Sequence, residues 1–542
     1  MKNLLFISII LFAFSCQSEK AKIIDNQVIE PAKFMTNAIS DYQEQHRLQF
    51  HFSPDSMWMN DPNGMVYYEG EYHLFYQHYP DSNVWGPMHW GHAVSEDLVH
   101  WQHLPIGLYP DSLGLIFSGS AVVDWNNTSG FGKDGTPPLI AIFTHHLMAG
   151  EKGGRNDFQY QSIAYSNDKG RTWTTYEGNP VIPNTEKIRD FRDPKVIWDA
   201  ENEQWLMVFA VQNRVRFYAS ADLKQWDLLS EFGEKIGAHG GVWECPDFFP
   251  MTDQATDETK WVLLSSINPG SYNGGSGTQY FVGDWDGKTF TLDAKFIEKM
   301  NAQRDKAVWL DYGRDNYAGV TWSDIDRKDG RRIFMGWMSN WDYAQIVPTT
   351  HWRSAMTIAR TLELTSNTPN GYTVISQAVN EMEKIRGLLT ELQPFDLQDS
   401  TRVLTEELAF SPATSEVILE MKMTEDAMAY FILTNAKGEE YYVGYNAAAN
   451  EFFSDRQAAG KQDFSEKFAA DNHTAPRNST NETIKMHLFF DTASAEIFAD
   501  DGTVVMTDIF FPNEDFNQLK IEVIDGKVEV ERLDVYELKS IW

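Results

Sequence analysis

Three of the 78 acidic residues stand in settings suited to chemistry. Asp61 lies in Trp58-Met59-Asn60-Asp61-Pro62-Asn63-Gly64, Asp193 in Asp190-Phe191-Arg192-Asp193-Pro194, and Glu244 in Trp243-Glu244-Cys245-Pro246. A proline follows each acid directly or after one residue, and its fixed φ stiffens the backbone that carries the side chain. Each acid also has an aromatic neighbour, which limits water and offers a flat surface to a sugar. Two or three carboxylates in an aromatic cleft suit glycoside hydrolysis. One attacks the anomeric carbon, one protonates the leaving oxygen, and a third stabilises positive charge or holds hydroxyls. Taken singly, each acid has a structural reading as well: an Asx turn for Asp61, a pair with Arg192 for Asp193, and a buried hydrogen-bonded acid for Glu244.

Other reactive residues point to less. His89 and His92 are close in sequence but have no third ligand near them, so no metal is expected. Cys245 lacks a His–Asn arrangement that would make it a nucleophile, and its expected part is to shape the neighbouring acid. No cofactor is expected.

The elements that must hold these residues are strands. Between about 45 and 360 short β-type runs such as Tyr72–Tyr76, Trp205–Phe209 and Arg332–Trp337 are broken by Gly, Pro, Asn and Asp, with almost no helical periodicity. A weak repeat runs through them. Ser95-Glu96-Asp97 leads to Trp101, Ser166-Asn167-Asp168 to Trp173, Ser220-Ala221-Asp222 to Trp226, and Gly283-Asp284-Trp285-Asp286 to Phe290. Each unit reads as a strand, a polar turn and an aromatic plug, which suggests propeller blades. Residues 366–394 read as a linker, with 374–390 helical. Period-two strands from 395 to 542 suggest a β-sandwich. Seventeen of the 18 Trp lie at or before Trp352, which also argues for two domains of different kinds.

The ordered blocks resemble glycoside hydrolase family 32, the invertase, inulinase and levanase family. Its first motif is matched by Trp58–Gly64, its second by Phe191–Pro194 and its third by Trp243–Pro246. Phe75-Tyr76-Gln77, Phe117-Ser118-Gly119-Ser120, Ser339-Asn340-Trp341 and Trp352-Arg353-Ser354 also match, so the likeness spans about 45–365. The resemblance implies an all-β fold, a five-bladed β-propeller (45–365) followed by a β-sandwich. It implies Asp61 as nucleophile, Glu244 as acid/base and Asp193 as transition-state stabiliser of a retaining mechanism. It places Trp58, Met59, Asn60, Gln77, Trp85, Phe117, Ser118, Arg192 and Trp341 around a terminal fructose, with Tyr312 near them. On this reading an apolar setting raises the pKa of Glu244, Asn60 and Asn63 keep Asp61 ionised, and Arg192 keeps Asp193 charged. Ile116–Asp124 and Trp341–Ala344 resemble exo-acting levanases and inulinases, which implies release of fructose from levan or inulin, with sucrose secondary. The alternatives are an endo-levanase, an inverting arabinan hydrolase and a non-catalytic fructan-binding lipoprotein. The Asn60–Asn63 block opposes the arabinan hydrolase, and the three acids together oppose the binding protein.

Composition bounds the partners. A net charge of −33 argues against nucleic acid and anionic membrane surfaces. The substrate is then a neutral fructan or fructooligosaccharide. The apolar run Leu4–Phe14 after Lys2 reads as a secretory signal, too short for a permanent span. It ends at Ser15-Cys16, which resembles a bacterial lipobox, with Ala13 where Leu is more usual. Residues 1–16 are thus expected as a lipoprotein signal, Cys16 as the acylated residue and the sole membrane contact, and 17–44 as a tether.

Overall fold

The computed structural model describes residues 42–326 and 328–542. The signal segment, Cys16 and most of the expected tether lie outside them. Tyr42, at the end of the expected tether, is packed, however: its ring stacks on Trp542 at 3.9 Å. Among the described residues no helix is long and apolar enough to cross a membrane.

Five sheets form the blades of a propeller. Their inner strands are Met57–Tyr68, Leu115–Val123, Phe191–Asp199, Val242–Thr252 and Tyr317–Thr321. Each touches the next around the axis, and the fifth touches the first. The ring is closed a second time by Trp352–Arg353, which runs parallel beside Met57–Trp58 of blade 1. The polar turns of the repeat follow the third strand of blades 1 to 4. In three of them a Ser hydroxyl meets the Asp two residues on, as in Ser166 Oγ to Asp168 Oδ1 at 2.7 Å. The aromatic plugs obey one rule, each filling the gap to the preceding blade. Trp101 stacks on Trp322 of blade 5, and Trp173 meets the Phe75 ring of blade 1 edge-on. Trp226 joins a cluster containing Val122 and Ile140 of blade 2, and Phe290 meets Phe232 of blade 3.

The second half folds as a β-sandwich-like sheet of eleven strands. Its 21-residue strand Gln518–Leu538 pairs first with Met428–Thr434 and then with Ser415–Met423. Between the two runs lie Asp525 and Gly526, both at positive φ, where the strand turns from one set of partners to the other. The expected helix over 374–390 is absent. Thr373–Ala378 is the outer strand of blade 5, Asn380–Ile385 is a six-residue 3-10 helix, and Arg386–Leu392 pairs with the long sandwich strand. Both flanks of the expected linker are therefore claimed by sheets. Strand pairing overrides the helical preference of Gln377-Ala378, while Glu381–Lys384 keeps a short 3-10 helix between the two sheets.

Buried ions join the two halves. Arg360 of blade 5 reaches Asp311 at 2.9 Å and Glu496 of the sandwich at 3.1 Å through Nε. His51 bridges Asp491 and Glu496 at 2.8 and 3.0 Å. Burial opposes the His51 charge, yet the two carboxylates outweigh it and lift its pKa to about 9.

Candidate active site

Each inner strand is interrupted near its N-terminal end by a bulge, two residues facing one on the neighbouring strand. The bulged pairs are Asn60–Asp61, Phe117–Ser118, Asp193–Pro194, Cys245–Pro246 and Ala318–Gly319. A bulge breaks the alternation of a strand and re-aims a side chain, and it is one of the few places where a proline fits inside a sheet. Asp193, Cys245 and Ala318 adopt positive φ there, at 65°, 44° and 54°. This is why the prolines beside the acids carried a signal: the five bulges aim the functional side chains at the axis.

Asp61 lies on the floor of the site. Its Oδ2 accepts from Ser118 Oγ at 2.6 Å and from Cys245 Sγ at 3.5 Å, and its Oδ1 accepts from Asn60 Nδ2 at 2.9 Å. Asn63, expected to help, binds backbone instead: its amide donates to the Asp61 carbonyl at 2.6 Å and accepts from Gly119 N–H at 2.9 Å. Asp193 is buried beside Asp61 and accepts from Cys245 N–H at 3.0 Å. Glu244 is half-buried at the mouth. Arg192 Nη2 donates to its Oε1 at 2.8 Å, and the Tyr317 hydroxyl donates to its Oε2. The expected apolar setting of Glu244 is therefore wrong: its partners are a cation and a phenol. Below the carboxylates the axis is filled. A void of about 10 Å³ lined by Pro62, Asn63, Ser118 and Pro194 remains there, and Lys195 pairs with Asp247 at 3.3 Å. A void of that size cannot hold a sugar.

The charges follow from burial. Desolvation raises the pKa of Asp61, the Ser118 hydroxyl opposes this, and the Glu244 charge adds to it. Burial also lifts the Cys245 thiol well above its usual range, helped by the charges of Asp193, Asp61 and Glu244. The thiol keeps its proton, so it serves as a donor and not a nucleophile. Arg192 does less for Asp193 than expected. Its short bonds go to Glu244 and, at 2.7 Å, to Asp190, while its Nε stays 3.8 Å from Asp193. Burial consequently pushes Asp193 up to about 7. The folded value lies above the unfolded one. Neutral Asp193 thus stabilises the fold fully below about pH 4, and that contribution is lost as pH rises through 7. Asp193→Asn should gain stability over the wild type as pH rises from 4 to 8, by no more than about 4 kcal/mol, since one pKa unit is roughly 1.4 kcal/mol. Thermal melts across that range check this; a gap that shrinks with pH overturns it.

Half-buried aromatics form the wall. Trp85 meets the Phe117 ring edge-on at 6.0 Å, and Phe117 stacks on His146 at 4.2 Å. Across the mouth Trp341 stacks on Trp58 at 5.9 Å and packs on Trp337 at 4.9 Å. Trp58 donates to Asn60 Oδ1 at 2.7 Å, so wall and floor are one connected unit. Gln77 sits opposite the Asn60–Asp61 bulge, buried, and its Nε2 has no hydrogen-bond partner among the described residues.

Two family descriptions cover the chain: the glycosyl hydrolases family 32 N-terminal domain matches residues 51–377 and the C-terminal domain 381–537. The chain belongs to glycosyl hydrolase family 32. It is similar to a levanase of Bacillus subtilis (strain 168), 47% identical over 507 residues, which span 93% of this chain and 72% of the relative. An extracellular exo-inulinase of Aspergillus niger is 39% identical over 529 residues, covering 93% of this chain and 96% of that protein. Among solved structures, exo-inulinase from Aspergillus awamori superposes with a TM-score of 0.83 at 36% identity, covering 93% and 100% of the two chains. The β-fructofuranosidase of Schwanniomyces occidentalis complexed with fructosyl-erythritol gives 0.81 at 30% identity over 93% and 100%.

Within this family 32 chain the sandwich braces the wall of the site. Trp341 is followed by Asp342, which pairs with Arg314 at 2.8 Å and with Lys467 of the sandwich at 2.6 Å. Next comes Tyr343, whose hydroxyl accepts from Arg456 of the sandwich at 2.8 Å and donates to Asp315 at 2.6 Å. Of the residues expected around the sugar, Asn60, Gln77, Trp85, Phe117, Ser118, Arg192 and Trp341 gather near the three acids. Trp58 and Met59 have no exposed surface and act as support. Tyr312 packs on Tyr272 at 5.1 Å and hydrogen-bonds through its backbone to Val505 of the sandwich. Tyr317, Asp190 and His146 were missed. The signal for Tyr317 was its place before Ala318-Gly319, the fifth member of the bulge series.

Proposed function

We propose that this chain releases terminal fructose from β-fructans, levan or inulin, with sucrose as a lesser substrate. It is a glycosidase of the β-fructofuranosidase type. Asp61 attacks the anomeric carbon as Glu244 gives its proton to the leaving oxygen. Asp193 faces the developing positive charge and a ring hydroxyl. Glu244 then takes a proton from water, which releases fructose with retained configuration. The observation that carries the reading is the pairing of a buried, donor-supplied Asp61 with a half-exposed Glu244 gripped by Arg192 and Tyr317. Asn60 and the spare Gln77 amide suit fructose hydroxyls, and Trp341 and Phe117 suit its apolar edge.

Exo action is supported by the closed floor and by the loop after His146. There the short helix Met148–Lys152 is pinned by Glu151, which binds His146 at 3.0 Å and Arg189 at 2.9 Å. Phe117 of the pocket wall stacks on His146 at the start of that loop, which holds the loop against the pocket. Products from levan, inulin and sucrose test the reading. Fructose alone from the first minutes is the expected result; a ladder of oligosaccharides overturns exo action, and no fructose from any of the three overturns the function. Export is supported by the extracellular relatives. The finer reading, a lipid anchor at Cys16, predicts palmitate labelling that vanishes in Cys16→Ala; an unlabelled wild type removes it.

A further inference from the structure

The outer face of the sandwich carries residues that such a face does not need. An antiparallel sheet with one face in water normally shows polar side chains there. Met428–Thr434, Glu440–Asn446 and Glu451–Ala458 lie side by side, and His473–Pro476 follows at the edge. Tyr430 pairs with Gly444, Gly444 with Phe453, and Phe453 with Thr474, so these positions share one face. Tyr442 and Asn446, two residues either side of Gly444, share it too. The opposite face, with Ala429, Phe431, Val443 and Phe452, is the buried core.

These residues line a groove of about 450 Å³, within the size range of small-ligand sites. The Phe453 ring lies over Gly444, where an added Cβ would come within 2.7 Å of it. Tyr430 stands edge-on to both Phe453 and Tyr442, with centroids 5.1 and 6.0 Å away. Asn446, Asn472, Asp455 and Glu451 surround the three rings. Among the described residues no Lys or Arg lines the groove, which disfavours phosphate, sulfate or an acidic sugar. Aromatic faces ringed by amides and carboxylates suit a neutral polyhydroxylated chain: rings meet C–H edges, and side-chain oxygens and amides meet hydroxyls.

The groove is also tied to the pocket. Thr474 at its edge exchanges two hydrogen bonds with Asn273 of blade 4, at 2.9 and 3.3 Å. Three residues on, Ser276 Oγ accepts from the Trp341 backbone N–H at 3.2 Å. At 3.8 Å per residue, Trp341 and the groove edge are no more than roughly 25 Å apart.

We propose that this groove is a second fructan-binding site, holding a distant stretch of the polymer whose end occupies the carboxylate pocket. The proposal rests on the function given above. A chain engaging both sites rebinds intramolecularly, which raises polymer affinity without new contacts at the catalytic carboxylates. A trisaccharide held in the pocket has no distant stretch to offer the groove.

The test uses the full chain with Tyr430→Ala/Tyr442→Ala and, separately, Asn472→Trp, which fills the rim from an exposed position. KM for long-chain levan or inulin should rise about ten-fold in both variants, with kcat and all constants for 1-kestose kept within about two-fold. A polymer KM that stays within about two-fold in both variants, or an equal loss on 1-kestose in both, overturns the proposal. Should the wild type release no fructose at all, the functional reading fails. The groove is then judged by retardation of the wild type in native gels containing levan or inulin: retardation that both variants lose supports it, and no retardation overturns it.

Discussion

Asp61→Asn should lower kcat on sucrose and on fructans by on the order of 10⁴–10⁶-fold, the range seen when an enzyme loses its nucleophile. KM should move little, because the amide has the shape of the carboxylate. The fold should survive. Asn60 still donates to the retained carbonyl oxygen, and the Ser118 hydroxyl can rotate to accept from the new amide. One negative charge leaves a cluster in which Asp61, Asp193, Glu244 and Asp190 gather around the cation Arg192. The melting temperature should therefore hold or rise. Residual turnover also has a clear meaning at this position. Deamidation of an Asn needs attack by the next backbone nitrogen, and residue 62 is a proline without an N–H. Back-conversion to Asp is thus slow, and activity within about ten-fold of wild type in well-folded protein would remove Asp61 from the nucleophile's role.

The sequence shows its blades more readily than its electrostatics. Four blades were visible because their turns and plugging aromatics are local. Blade 5 was hidden because its third strand, Arg360–Thr365, follows a long excursion. That excursion carries Trp341 to the pocket and Trp352 back to blade 1. The acids were legible because a proline inside a strand marks a bulge. Their environments were not, for a geometric reason. Trp243 points to the face opposite Glu244, and the bulged Cys245 turns its thiol to Asp61 and Asp193, so neither says what Glu244 meets. Its partners come from other blades, Arg192 from 52 residues before it and Tyr317 from 73 residues after it. Arg192, adjacent to Asp193, likewise spends its short bonds on Asp190 and Glu244. The helix expected over 374–390 failed differently: its side chains allow a helix, but two sheets offer it partners.

Glu244→Ala should separate the two chemical steps. With fructan or sucrose the leaving group is a sugar alkoxide that needs a proton, and loss of the acid should cost on the order of 10²–10⁴-fold in kcat. With p-nitrophenyl β-D-fructofuranoside the leaving phenolate needs no proton, so Asp61 can still form the fructosyl ester. Hydrolysis of that ester then limits turnover, since no base activates water, and a burst of nitrophenolate should precede a slow steady state. Azide needs no base. It should attack the anomeric carbon of the ester, expel the Asp61 carboxylate and restore turnover, giving β-fructosyl azide with retained configuration. Space for it exists once the side chain is removed, because Glu244 lies at the half-exposed mouth. Arg192 would keep its 2.7 Å bond to Asp190, so the guanidinium stays anchored. The expected pattern is specific to an acid/base in a retaining enzyme. Asp61→Asn should show neither burst nor rescue. Equal loss on both substrates with no azide product would assign Glu244 to binding, and an α-configured azide would point to direct displacement without a covalent intermediate.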